Sequence, residues 1–171
     1  MNPKMKEKPW IYLIKTCPSG KSFELSIQEF NLMKEYTISD KVLYLSGQFS
    51  DTFIRGLINL CDVYVSPSRK EGFGLPLIQA QLCEKPVISM RATSTAEIVV
   101  HEKTGLLVKG TAVGNQFHAD IDELSKALEI LLTNKTLREK YGKEGRKYAL
   151  ANYSPKIIAK KLIEQYKRTK I

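Results

Sequence analysis

Short apolar runs, rich in Val, Ile, Leu and Tyr and bounded by turn or polar residues, recur at Trp10–Ile14, Val42–Leu45, Val63–Val65, Val87–Ser89 and Leu106–Val108. Each has the length and composition of a strand. Between them, apolar residues return at helical spacing. Ser26 with Glu29 forms a capping box ahead of Phe30 and Met33, and Ser50 stands where it can cap a helix with Phe53, Leu57 and Cys61 on one face. A third helix follows Gly74, with Pro76 in its first turn, where a missing N–H is harmless, and runs through Ala80 and Leu82 to Glu84. Strands alternating with helices predict parallel β-α units, a Rossmann-like α/β sheet flanked by helices on both faces.

Beyond Val108 the pattern turns helical. Asp120 with Glu123 starts a helix bearing Ile121, Leu124, Leu128 and Leu131, Thr136 opens one through Tyr141 and Tyr148, and Ser154-Pro155 starts a last one bearing Ile158, Leu162 and Tyr166. The stretch from Lys109 to His118, with two glycines and few large apolar residues, reads as a mobile loop. No internal repeat appears. The expected organisation is a single domain over 1–171, with a basic arm at 1–9 and a helical tail at 120–171.

Composition narrows the class. The 171 residues are 43% hydrophobic and 26% charged, enough for one buried core and unlike a disordered, collagenous or membrane-bundle chain. Trp10–Ile14 is too short for a signal-peptide core or a spanning helix, so the expected location is cytoplasmic. Cys17, Cys61 and Cys83 form no C-x-x-C pair and read as reduced, mostly buried thiols. No metal site is expected: Asp120-Ile121-Asp122 sits where acids favour a helix dipole, and His101 and His118 have no ligand at coordinating distance in sequence.

The net charge of +9 changes meaning once mapped. Residues 1–134 carry 15 basic and 15 acidic residues, whereas residues 135–171 carry 12 and 3, so the whole excess lies in the tail. A neutral body with a basic end does not describe a duplex-binding face, and aromatic residues do not interleave with the basic ones, so nucleic acid is not the expected partner. Two readings of the tail stand. Its apolar stripe packs on the domain with the lysines solvated, or residues 135–171 meet an anionic membrane surface.

The segment Val63-Tyr64-Val65-Ser66-Pro67-Ser68-Arg69-Lys70-Glu71-Gly72-Phe73-Gly74-Leu75-Pro76-Leu77-Ile78-Gln79-Ala80 runs strand, loop, helix. In open α/β sheets ligands bind beyond the carboxyl ends of strands, where this loop begins. Gly72 and Gly74 allow close backbone approach, and the helix N-terminus offers N–H groups and a positive dipole end to an anion such as phosphate. Glu71 would be repelled by phosphate but can accept hydrogen bonds from neutral hydroxyls. Phosphate with sugar hydroxyls describes a nucleotide sugar. Glycines at these spacings also serve tight turns and close helix packing.

The longer pattern resembles the retaining glycosyltransferases of the GT-B fold, family 4 type. It joins Val42-Leu43-Tyr44-Leu45-Ser46-Gly47, Cys61-Asp62-Val63, Pro-Ser, Glu-Gly-Phe-Gly-Leu-Pro, Pro86-Val87-Ile88, Ala96-Glu97-Ile98-Val99 and Thr104-Gly105-Leu106-Leu107-Val108, with Tyr153-Ser154-Pro155 a looser match. The resemblance implies the C-terminal, donor-binding half of such an enzyme. Glu71 is then the catalytic-site acid, first of the family's E-x7-E motif, holding donor-sugar hydroxyls, while the amides of Phe73, Gly74 and Leu75 bind the diphosphate and Gly72 belongs to the same substrate-binding loop. Gln79 takes the position of the second Glu, which contacts ribose. No metal or other cofactor is implied; the partners are a nucleotide-diphosphate sugar and an N-terminal acceptor domain or partner chain.

Three departures accompany the match. Gln79 is an amide, no counterpart of the family's phosphate-clamping Arg and Lys is visible, and the Gly-Gly ahead of the Glu97 motif is Thr93-Ser94. They leave a second reading open, a non-catalytic nucleotide-sugar-binding or interaction module derived from a glycosyltransferase.

Overall fold

A computed structural model describes residues 10–16, 31 and 41–169. The Ser26–Glu29 capping box, the basic arm at 1–9 and Cys17 lie outside the described residues. The chain forms two compact units, residues 1–53 and 54–171. In the first, β1 (Tyr12–Thr16) and β2 (Val42–Ser46) pair in parallel, Tyr12 opposite Val42 and Thr16 opposite Ser46. Helix α1 (Asp51–Leu60) starts here, capped as its sequence predicts, with Ser50 Oγ accepting from the Phe53 amide at 3.3 Å.

In the second unit, β3 (Tyr64–Ser66), β4 (Val87–Met90) and β5 (Gly105–Val108) form a parallel sheet in that order. Between and after them come α2 (Leu75–Leu82), α3 (Thr95–Ile98), α4 (Ile121–Thr133), α5 (Lys135–Tyr153) and α6 (Pro155–Arg168). The period-2 alternation of the strands builds two cores. Val87 and Leu107 join Ile58, Leu77, Ile78, Ile98, Val99 and Ala149 on one face. Ile88, Met90, Leu106 and Val108 join Ala127, Leu131 and Tyr141 on the other. Both faces of this sheet are therefore covered by helices, and the fold is Rossmann-like.

Packing of α5 on α2 depends on absent side chains. A Cβ on Gly142 would collide with the Glu84 carbonyl, and one on Gly145 would stand 3.2 Å from Gln81 Cγ. Beside this seam, Gln81 is fully buried and donates from Nε2 to the Ile98 carbonyl and to Thr104 Oγ1, each at 3.1 Å. One helix side chain thus ties α3 and the turn before β5 to α2.

Four local expectations are corrected. The stretch from Lys109 to His118 is a hairpin, β6 (Gly110–Val113) antiparallel to β7 (Gln116–Ala119), because Gly114 supplies the positive φ of 61° that its two-residue turn needs. Helix α5 opens one residue earlier than Thr136. Asn134, a stronger cap, accepts from the Leu137 amide at 2.9 Å. Cys61 and Cys83 are half-buried, not enclosed; burial still pushes the Cys61 thiol up. Finally, α6 buries no residue, so the Ile158, Leu162 and Tyr166 stripe does not pack on the domain.

Candidate functional site

The loop from Ser66 to Gly74 leaves the carboxyl end of β3 and enters α2. Its backbone is held from two sides. The Arg69 carbonyl accepts from the Phe117 amide of β7 at 2.9 Å, and Ser94 Oγ donates to the Glu71 carbonyl at 3.3 Å. Ser66 and Ser68 hydroxyls lie 3.2 Å apart at its start. With the main chain so fixed, Lys70, Gly72 and Phe73 remain exposed at its tip.

Gly74 is the N-cap of α2 and takes a left-handed conformation, φ 93° and ψ 40°. A Cβ there would stand 3.1 Å from Ile98 Cδ1 and 3.2 Å from Leu77 Cδ1, so conformation and space both require glycine. No side chain caps the helix. Pro76 has no N–H, and the Leu77 amide bonds the Gly74 carbonyl at 3.0 Å, which leaves Leu75 as the remaining first-turn donor. Gly72 differs from Gly74: its φ is not positive and a Cβ would meet nothing within 4 Å. The fold gives no reason for a glycine there.

Glu71 is half-buried, with Cγ 3.6 Å from where a Gly74 Cβ would stand, so the structure gathers the acid and the helix entrance. Gln79 lies one turn into α2 on its exposed side, opposite the buried Leu77, Ile78, Ala80 and Gln81. Asp120 is spent as a cap, its Oδ1 accepting from the Glu123 amide at 3.0 Å. Arg91 instead lines an open depression of about 510 Å³ with His101, Lys109 and Glu123, which holds no residue of the loop. Among the described residues, no cluster of three His, Cys, Asp or Glu side chains has metal-binding spacing.

Several supports were not read from sequence. Thr93 occupies the left-handed region, φ 52°, at the position where the resembled family carries glycine. That mismatch was visible as a residue change, but the backbone conformation was not. Phe73 at the loop tip meets Tyr153 of α5 edge to face, ring centroids 6.1 Å apart. The hydroxyls of Tyr148 and Tyr153 both donate to the Glu97 carbonyl, at 3.1 and 3.3 Å. Glu97 therefore serves this contact with its backbone. Desolvation first, then Tyr148 and Glu97, push the Tyr153 phenol up to about 12.

The chain matches the model of the family described as glycosyl transferases group 1 over residues 24–148. It is 33% identical over 108 residues to the capsular polysaccharide biosynthesis glycosyltransferase CapM of Staphylococcus aureus, covering 63% of this chain and 26% of that protein. Among solved structures it is similar to the sucrose-phosphate synthase of Thermosynechococcus elongatus, with 26% identity and a TM-score of 0.75 over 91% of this chain and 37% of that one. It is also similar to Anabaena Alr3699/HepE, solved with UDP-glucose, with 19% identity and a TM-score of 0.73 over 92% of this chain and 41% of that one. This last likeness shows the fold alone. The chain spans about a quarter of CapM and about two-fifths of the two solved chains.

Proposed function

The chain belongs to the group 1 glycosyl transferases, and from that premise we propose that it is the donor-binding half of a retaining glycosyltransferase of family 4 type. The observation that carries this reading is Gly72. It is a glycine the fold does not need, at the exposed tip of a loop whose backbone is otherwise pinned. A ligand approaching the main chain supplies the missing reason. In this reading the amides of Gly72, Phe73, Gly74 and Leu75 hold the diphosphate at the positive end of α2. As the bond from the sugar's anomeric carbon to the diphosphate oxygen breaks, negative charge grows on that oxygen, and these fixed donors stabilise it without a metal. Glu71 accepts hydrogen bonds from sugar hydroxyls, and Gln79 from the ribose.

The acceptor would be presented by a second domain or partner chain, so the chain studied alone binds donor and transfers nothing. Calorimetric titration with UDP-, GDP- and ADP-sugars, paired with a transfer assay, tests this. UDP-glucose, the ligand of the similar Anabaena structure, is the first to try. Saturable binding of one donor without product is the expected result. Failure of all three donors to bind overturns the donor-site reading, and product from this chain alone overturns its role as one half. Binding that persists without transfer in the presence of a complementary acceptor domain would favour a non-catalytic module, the reading to which Gln79 and Thr93-Ser94 lend weight.

A further inference from the structure

The β6–β7 hairpin follows the carboxyl end of β5, and the Ser66–Gly74 loop follows the carboxyl end of β3 in the same parallel sheet. Its base is clamped. The Asp120 amide donates to the Lys109 carbonyl at 2.9 Å, and the Lys109 amide to Glu123 Oε2 at 2.7 Å. Beyond that base every residue from 111 to 118 is exposed except Phe117, which is half-buried. The Phe117 ring packs on the core that holds Met90, Ala92 and Val108, with Cδ1 3.6 Å from where a Gly110 Cβ would stand. A two-stranded hairpin has little stability of its own. This one side chain therefore holds the hairpin against the end of β4.

The same residue reaches the loop. With a two-residue turn, Val113 and Gln116 exchange the closing hydrogen bonds, so the amide of Phe117, paired opposite Ala112, points away from β6. There it donates to the Arg69 carbonyl at 2.9 Å, two residues ahead of Glu71. The loop's other tie, from Ser94 Oγ to the Glu71 carbonyl, is 3.3 Å, long for a hydroxyl donor. The hairpin bond is the firmer of the two. We propose that Phe117 is a positioning residue for the donor loop: its ring fixes the hairpin and its amide fixes the backbone that carries Glu71 and Gly72. This inference rests on the donor-site reading of that loop, and adds that the hairpin sets how well ordered the site is before a ligand arrives.

The full chain and its variants are compared by backbone relaxation in NMR, and by calorimetric titration with UDP-, GDP- and ADP-sugars. In Phe117→Ala, order should fall at Lys70, Glu71 and Gly72 while α2 and α5 keep theirs. Donor affinity should drop about fivefold, the cost of ordering one more backbone residue on binding. Phe117→Leu, which refills the space over Gly110, should restore most of both. A residue that served stability alone would lower the melting temperature and leave loop order in the folded chain untouched. Gly114→Val spares the core, since a Cβ there meets nothing within 4 Å, but strains the turn at its φ of 61°; it should loosen the loop in the same direction. Unchanged loop order and donor affinity in Phe117→Ala, or in Gly114→Val if the first variant does not fold, overturn the proposal alone. Failure of the unaltered chain to bind any donor overturns the donor-site reading instead, and the relaxation data, which need no ligand, still decide whether the hairpin orders the loop.

Discussion

Phe73 and Tyr153 meet edge to face with ring planes at 86°, so the tip of the Glu71–Leu75 loop leans on the last turn of α5. The two residues are 80 positions apart in the chain. Since the Tyr153 hydroxyl also donates to the Glu97 carbonyl, one side chain connects the loop, α3 and α5.

Truncating that connection should loosen the loop more than it unfolds the protein. Tyr153→Phe keeps the ring contact and loses one hydrogen bond, a change of about 1 kcal/mol in stability with donor affinity nearly unaltered. Tyr153→Ala removes the support of Phe73 and is expected to weaken donor binding as well. Denaturant titration and calorimetry on both variants check this; equal donor affinity in the two would show that Phe73 needs no support.

The phenol also makes stability depend on pH. Burial, Tyr148 and Glu97 push it up to about 12 in the folded chain, whereas an unfolded tyrosine ionises at about pH 10. The stabilisation is complete below the unfolded value and is lost as pH climbs through the folded one, because the unfolded state then gives up its proton first. The phenol remains partly exposed, so solvent screening keeps the drop small. Urea midpoints at pH 9 and pH 11 should differ less for Tyr153→Phe than for the unaltered chain, and an unchanged difference would assign the effect elsewhere.

Gly72 and Gly74 should separate binding from folding. Gly74→Ala forces a Cβ between Ile98 and Leu77 at positive φ and should destabilise the fold by about 1–2 kcal/mol. Gly72→Ala meets open space, so its melting temperature should stay put while donor affinity falls. If Gly72→Ala binds as tightly as the unaltered chain, no ligand approaches that backbone.

Thr93 stores strain at the site's edge. A β-branched residue at φ 52° is disfavoured by about 1–2 kcal/mol, of which glycine's extra unfolded-state freedom returns part, so Thr93→Gly should gain about 0.5–1 kcal/mol. A lower urea midpoint for Thr93→Gly would mean that the threonine side chain makes a compensating contact.

The strands of the second unit and the entrance of α2 could be read from residues because they follow local rules. Apolar runs of strand length give β3 to β5 to within a residue or so, and the Gly74-Leu75-Pro76 order dictates where α2 begins. The hairpin at Gly110–Ala119 departs from the loop expected there because its strands have few large apolar residues; the Gly114-Asn115 pair is the signal the sequence carries for it. Tyr153 under Phe73 and Ser94 under Glu71 depend on long-range packing. No spacing rule announces such contacts. The orientation of α6 likewise depends on which side meets α5, and its amphipathic pattern alone is compatible with either.

Gln79 offers the sharpest check on where the ribose lies. It is exposed on the second turn of α2, with one face of the helix buried beneath it, so its side chain is free to reach a ligand held at the helix entrance. Gln79→Glu turns a neutral acceptor into a charged one, which should strengthen a hydroxyl contact by about 1 kcal/mol. The new charge also repels the diphosphate one turn away. At about 8 Å in water each of the two phosphate charges contributes about 0.5 kcal/mol, and screening at about 0.1 M salt cuts the total of about 1 kcal/mol to roughly half, so the hydrogen bond wins by a small margin and the nucleotide sugar should bind about twofold more tightly. Inorganic pyrophosphate, which has no ribose, should bind slightly more weakly to the same variant. The opposite signs make the test specific. Parallel weakening of both ligands would leave only the charge effect and place Gln79 away from the ribose.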